Sequence, residues 1–321
     1  MNRQTFFALL AAAPFFLSGC GGDPDTTTPE SKGRIGVTCM DLTNPFFKLI
    51  ANVMTEEAAK HGYTVTALSG ELDPAKQNSQ ISDFVAQGYD AIFLNPVDSR
   101  SAAQGVKAAH EAGIPVFTFD IQVSDEAAAE MVVSHIGSDN FQGGQLAGES
   151  MVQALGNKGK VAVVSLPEVT SCILRVDGFK DALAKANSPI EIVTELSGKG
   201  SRDAGYAVTT DILQAHPDIT GIFAINDPSA LGAHAAVAKA GKEDQITIVA
   251  FDASPAGKQG VFEKKLYDTP QQFPRKMAVG TVQAFVDYLD GNEVQKKVLI
   301  PCEHYVYETS VSDESRIEEQ W

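Results

Sequence analysis

The chain has 321 residues, 44% hydrophobic and 21% charged, which is enough to build a sizeable core and two domains. Acidic residues outnumber basic ones by 41 to 25, for a net charge of −16, and this argues against a basic footprint for nucleic acid. The 4 cysteines have no CxxC spacing and no histidine cluster, so neither a zinc site nor a dense disulfide framework is suggested.

Arg3 gives the N-terminus a thin positive flank, and Phe6 to Leu17 is apolar but shorter than the roughly 20 residues a membrane span needs. Residues 1–20 therefore read as a secretion signal. Leu17-Ser18-Gly19-Cys20 resembles the lipobox of bacterial lipoproteins, which makes Cys20 the expected lipidation site; the alternative is an ordinary signal peptide cleaved elsewhere. Residues 21–33, polar and bearing glycine and proline, are expected to form a flexible tether. For Cys39, Cys172 and Cys302, one disulfide and isolated buried thiols both remain open.

From Arg34 onward the chain alternates. Strand 35–38 is followed by helix 46–61, strand 63–68 by helix 74–87, and strand 91–94 by helix 101–112 and strand 116–119. A looser acidic stretch, 122–130, leads into strand 132–136, and the alternation then restarts. Helices 142–155, 175–185, 202–215 and 229–240 precede strands 161–166, 190–196, 221–225 and 246–251. Nearly continuous apolar strands at a period of about 28 to 30 residues predict parallel sheets covered on both faces. Two runs of the pattern predict two similar α/β domains. After them come helices 257–264 and 274–289, a strand within 291–301, a weak final strand at 303–308 and an acidic tail; these are too little for a third domain and should complete the first two.

In open parallel sheets, ligands collect beyond the carboxyl ends of strands. Those ends carry Asn44 with Phe46 and Phe47, Asn95 with Asp98, Asp120, Thr170 with Ser171, Asn226 with Asp227, and Asp252. Acids and amides so placed suit a polyhydroxylated neutral molecule, and the two phenylalanines suit the C–H face of a sugar ring. Each residue also has a plain structural reading: Asn44 before Pro45, Asp98, and Asp227 before Pro228 are all good helix caps, and one of the adjacent phenylalanines could be core. No nucleophile elbow, H-E-x-x-H, phosphate loop or dinucleotide fingerprint is present, so binding without catalysis is expected, with no cofactor and no metal.

These residues carry a resemblance. Asn44-Pro45-Phe46-Phe47, Asn95-Pro96-Val97-Asp98-Ser99, Ile114-Pro115-Val116 with Asp120, Ser134-His135-Ile136-Gly137-Ser138-Asp139-Asn140, Ala215-His216-Pro217-Asp218, Asn226-Asp227-Pro228-Ser229-Ala230-Leu231-Gly232 and Phe251-Asp252 resemble the ribose-binding proteins of bacterial ABC importers, members of the type I periplasmic sugar-binding family. The resemblance implies a periplasmic binding protein-like type I α/β fold of two Rossmann-like lobes with parallel sheets, joined by a three-strand hinge with crossovers near Ser138, Phe273 and Cys302. The N-terminal lobe would be residues 34–138 plus 274–301, and the C-terminal lobe 139–273 plus 302–321. The lac-type repressors share this fold, but the N-terminus has an apolar leader where they need a basic helix-turn-helix.

Carried over residue by residue, the family's ligand contacts fall on Asn44, Phe46, Phe47, Asp120, Asn226, Asp252 and Gln272. Ile121 and Ile173 stand where the ribose binders have arginine, although Arg175 matches the arginine two places further on. The aromatic of the second lobe falls near Ser201, with Tyr206 as a candidate substitute. Loss of two guanidinium groups removes donors to sugar hydroxyls, at about 1–3 kcal/mol for each orphan. The expected ligand is therefore a pentose other than D-ribose, a deoxysugar or a polyol. The expected protein is a monomeric, exported, lipid-anchored binding protein that closes on its ligand and delivers it to ABC permease subunits, or alternatively to a membrane receptor as a sensor.

Overall fold

The computed structural model describes residues 31–307; residues 1–20, most of 21–33 and the acidic tail lie outside that range in whole or in part. The first half of the alternation is β1 (Gly33–Cys39), α1 (Pro45–Lys60), β2 (Tyr63–Ser69), α2 (Pro74–Ala86), β3 (Ala91–Leu94), α3 (Ala102–Glu111), β4 (Val116–Phe119), α4 (Glu126–Met131) and β5 (Val132–Ser138). The second is α5 (Asn140–Ala154), β6 (Lys160–Ser165), α6 (Thr170–Lys185), β7 (Glu191–Ser197), α7 (Arg202–Ala215), β8 (Gly221–Ala224), α8 (Asp227–Lys239), β9 (Thr247–Val249) and α9 (Pro255–Phe262), followed by α10 (Pro274–Leu289) and β10 (Lys297–Ile300). The α/β class expected from the alternation is the one found.

One device starts many of these helices. A side-chain oxygen closes the first turn and proline takes an early helical position, where its missing N–H costs nothing. Asn44 and Pro45 do this for α1, Asp73 and Pro74 for α2, Asn226 and Pro228 for α8, Ser254 and Pro255 for α9. Two helices depart from the sequence expectation. The stretch 122–130 contains α4, capped by Asp125, whose 6 residues are too short to declare a period. Helix α6 begins at Thr170, five positions before the expected 175, because Val169 at its start offers no capping side chain.

Strands β1 to β10 all pair in parallel. The first sheet runs β2-β1-β3-β4-β5-β10 and the second β7-β6-β8-β9, so the central order 2-1-3-4 is repeated. Beside β9, residues 268–271 add parallel bridges, and Glu303 and Val306 pair antiparallel with Gln271 and Asp268. The expected final strand at 303–308 is thus only this pair of isolated bridges. The chain leaves the first sheet after Ser138, returns ahead of α10 and leaves again after Ile300. The crossing segments lie side by side: Asp139 N donates to Ile300 O, Cys302 N to Gln142 Oε1, and Gln271 N to Glu303 O.

Each lobe is filled by aromatic side chains. Phe285 of α10 meets Phe93 and Phe117 edge-on at 5.8 and 6.0 Å, so a late helix completes the first core; Phe179 and Phe223 stack at 4.5 Å in the second. Helix α5 approaches α6 closely enough that a Cβ on Gly144 or Gly178 would strike the backbone of Arg175 or Phe141. Cys39, Cys172 and Cys302 are free and buried, so among the described residues the thiol alternative holds.

Candidate ligand-binding cleft

Because every strand is parallel, the carboxyl ends of each sheet open on one side, and the two sets face a common cleft of about 770 Å³. Asn44, Phe46, Phe47, Asp120 and Ile121 line it from the lobe of the first sheet; Asn226, Asp252 and Gln272 line it from the other side. Eight of the nine expected contact residues are therefore brought together.

Ile173 is the exception. It is 42% exposed and lies in a small depression with Val176, Asp177 and Lys180, outside the cleft. In a helix of 3.6 residues per turn, positions two apart point nearly opposite ways. Placing residue 173 outward turns Ser171, Cys172 and Arg175 inward, and these line the cleft. Of the two isoleucines expected in place of arginine, Ile121 lines the cleft and Ile173 does not. Ser201 also lines the cleft, whereas Tyr206 does not and has Lys239 near its ring.

Arg175 is the cationic centre. Only 4% exposed, it lies 4.0 Å above the Phe251 ring, donates through Nε to Asn140 Oδ1 (2.8 Å), and through one terminal nitrogen to Ile225 O (2.7 Å) and Asp252 Oδ1 (3.2 Å). Three of its five N–H donors are thereby committed, and among the described residues the second terminal nitrogen makes no hydrogen bond. Its sequence signal was weak, since one arginine within an amphipathic helix usually faces water.

The carboxylates are held in unusual backbone. Asp120 has φ 59° and Asp252 φ 116°, conformations that non-glycine residues rarely adopt and that tend to mark functional sites. Asp252 Oδ1 also accepts from Gln272 Nε2 at 2.7 Å. Asp120 is less satisfied: Asn95 Nδ2 reaches its Oδ2 at 3.3 Å, while Oδ1 and Gln272 Oε1 are buried with no partner among the described residues. Burial pushes the Asp120 carboxyl up to about 6; Arg175 opposes this, and the charge of Asp252 adds to it.

Asp227, weighed as a cap, has another task. Asn226 is the cap of α8, and fully buried Asp227 accepts from Thr269 Oγ1 (2.6 Å) and Ser254 N (2.7 Å), fixing the turn behind Asp252. Burial and the neighbouring Asp252 raise its carboxyl to about 8. Asn95 is likewise structural: its Oδ1 accepts from Met40 N and its Nδ2 reaches Phe119 O, tying the ends of β1, β3 and β4 together. Asp98 accepts from the N–H groups of Arg100 and Ser101 ahead of α3, which holds its carboxyl below the usual range. Asn44 serves twice, capping α1 through Oδ1 (3.0 Å to Phe46 N) while lining the cleft.

Two lobes with strand-end acids, amides and an arginine converging on one cleft define a protein built to bind a small polar molecule. Residues 35–293 match the model of the periplasmic binding protein domain, and the chain belongs to that family of solute-binding proteins. It is 32% identical over 306 residues to the ribose import binding protein RbsB of Bacillus subtilis (strain 168), covering 93% of this chain and 97% of that one. Identity to the RbsB of Escherichia coli (strain K12) is 35% over 268 residues, covering 83% and 88%. A solved ABC transporter solute-binding protein from Actinobacillus succinogenes 130z with bound D-allose superposes with a TM-score of 0.80 at 28% identity, covering 87% of this chain and 99% of that one. Sugar-import binding proteins are thus its relatives.

Proposed function

We propose that this chain is the solute-binding lipoprotein of an ABC importer for a small neutral sugar or sugar alcohol, anchored through Cys20 outside the cytoplasm. It captures its ligand by hinge closure and presents the closed lobes to permease subunits. In this reading the N-terminal lobe is 34–138 plus 274–301 and the C-terminal lobe 139–273 plus 302–321; the pairing of β10 with β5 supports the division. The observation that carries the reading is the convergence, from both lobes, of strand-end carboxylates and amides with Arg175 on one cleft whose buried acceptors Asp120 Oδ1 and Gln272 Oε1 lack donors. Sugar hydroxyls supply such donors, and Phe46 and Phe47, in edge-on contact at 5.3 Å, offer an apolar wall.

With Arg175 in the cleft and Ile173 outside it, one of the two grounds against D-ribose falls away. Ile121, 2% exposed, still favours a ligand with a hydroxyl-poor edge on that side, such as a deoxysugar. The test is a thermal-shift screen of the lipid-free domain against D-ribose, D-allose, other pentoses, deoxysugars and polyols. Ligand bound only by the folded state raises Tm, by about 2.7 kcal/mol of apparent stability at a hundredfold excess over Kd. Asp252→Ala should abolish the shift; a full shift in that variant would reject this cleft.

A further inference from the structure

We propose that Ser99 and Thr170 form an interlobe clasp that caps α6 only when the lobes are closed, so that closure itself positions Ser171 and Arg175 in the cleft; this rests on the hinge-closure reading above. Helix α6 starts without a capping side chain of its own. Its first N–H groups need acceptors, and a missing cap leaves the first turn poorly held.

The other lobe supplies that acceptor. Thr170 N donates to Ser99 Oγ at 3.1 Å. The Ser99 hydroxyl donates to Thr170 Oγ1 at 3.2 Å, and the Thr170 hydroxyl passes on to Gln122 O at 3.2 Å. Ser99 N adds a bond to Glu168 O at 3.3 Å. Each hydroxyl donates once, so the network is self-consistent. Ser99 and Gln122 follow β3 and β4, whereas Glu168 and Thr170 follow β6, and none of the four lies on a crossing segment.

The anchor side is fixed. Ser99 is 3% exposed, its carbonyl accepts from Ser124 N at 2.8 Å, and the preceding Asp98 holds Arg100 and Ser101. Neither Ser99 nor Thr170 lines the cleft, but the turn that starts at Thr170 delivers Ser171, Cys172 and Arg175 to it. They are positioning residues. An open–closed equilibrium balanced within a few kcal/mol responds to such bonds even though each is worth little net against water.

The test uses Thr170→Val, Ser99→Ala and Thr170→Ser. Interlobe distances would be measured by spin labels on exposed positions of the two lobes, without sugar and with D-ribose or D-allose, alongside calorimetric titration. The expected result is a shift of Thr170→Val and Ser99→Ala toward longer distances. Their Kd should rise about three- to tenfold by the same factor for every sugar, and Thr170→Ser should restore both readouts. Unchanged distances and unchanged Kd in both variants would overturn the clasp, as would a changed rank order of sugars. If neither sugar binds the wild type, the ligand assignment fails, and the ligand-free distances alone decide the clasp: a shift supports it and none rejects it.

Discussion

At the scale of single residues, the cleft is organised around charges that have lost water. Asp120 holds its proton up to about pH 6 in the folded chain, against an ordinary value of 3.8. The folded state therefore binds more protons between these values, and the stability contributed by the protonated form is present below that window and lost as pH rises through it. Asp120→Asn should stabilise the ligand-free protein at pH 7 by on the order of 2 kcal/mol and flatten this part of the pH dependence of Tm between pH 4 and about 6. If sugar hydroxyls need the ionised carboxylate, wild-type affinity should strengthen as pH rises through about 6, and the variant should bind weakly throughout. An unchanged pH slope in the variant, followed by scanning calorimetry and titration, would remove Asp120 from this role.

At the scale of elements, the α5–α6 pair sets where the cationic centre sits. Gly144 and Gly178 let the two backbones approach, and the buried face of α6 then carries Arg175 between Asn140 and Asp252. Gly144→Ala places a methyl against the Arg175 carbonyl, so it should cost about 1–3 kcal/mol in urea unfolding and also weaken sugar binding. A destabilised variant with intact affinity would show that the helix pair does not position the guanidinium. The start of α6 is not legible because no local side chain caps it, and Ile173 is expected in the cleft only through the family resemblance, which fixes neither where α6 begins nor how it is rotated. The role of Asn44 stays open in the sequence for a different reason: capping and lining are compatible uses of one amide, and only geometry shows both; Asn226, expected only as a ligand contact, also caps α8.

At the scale of the whole molecule, the first core is finished by a helix from the far end of the chain. Phe285 packs on Phe93 and Phe117, and burying a phenylalanine of this kind is worth several kcal/mol. Phe285→Ala should destabilise by about 3–5 kcal/mol, with hydrogen-exchange protection lost in β3 and β4 before β6 and β8. Simultaneous loss in both sheets would contradict a discontinuous first lobe. The same wiring brings three crossing segments together between the two sheets.

The order of strands and helices followed from the sequence because each depends on local terms: apolar runs, helix periodicity, and a polar cap before proline. Once the strands were parallel, the side on which Asn44, Asp120, Asn226 and Asp252 gather followed as well, since successive carboxyl ends must open the same way. Tertiary structure alone decided that Arg175 and not Ile173 meets the cleft, that Asn95 braces it from behind while Asp227 fixes the turn at Asp252, and that Ser99 reaches Thr170. These depend on how packed helices rotate and on contacts between residues distant in the chain, which no local pattern encodes.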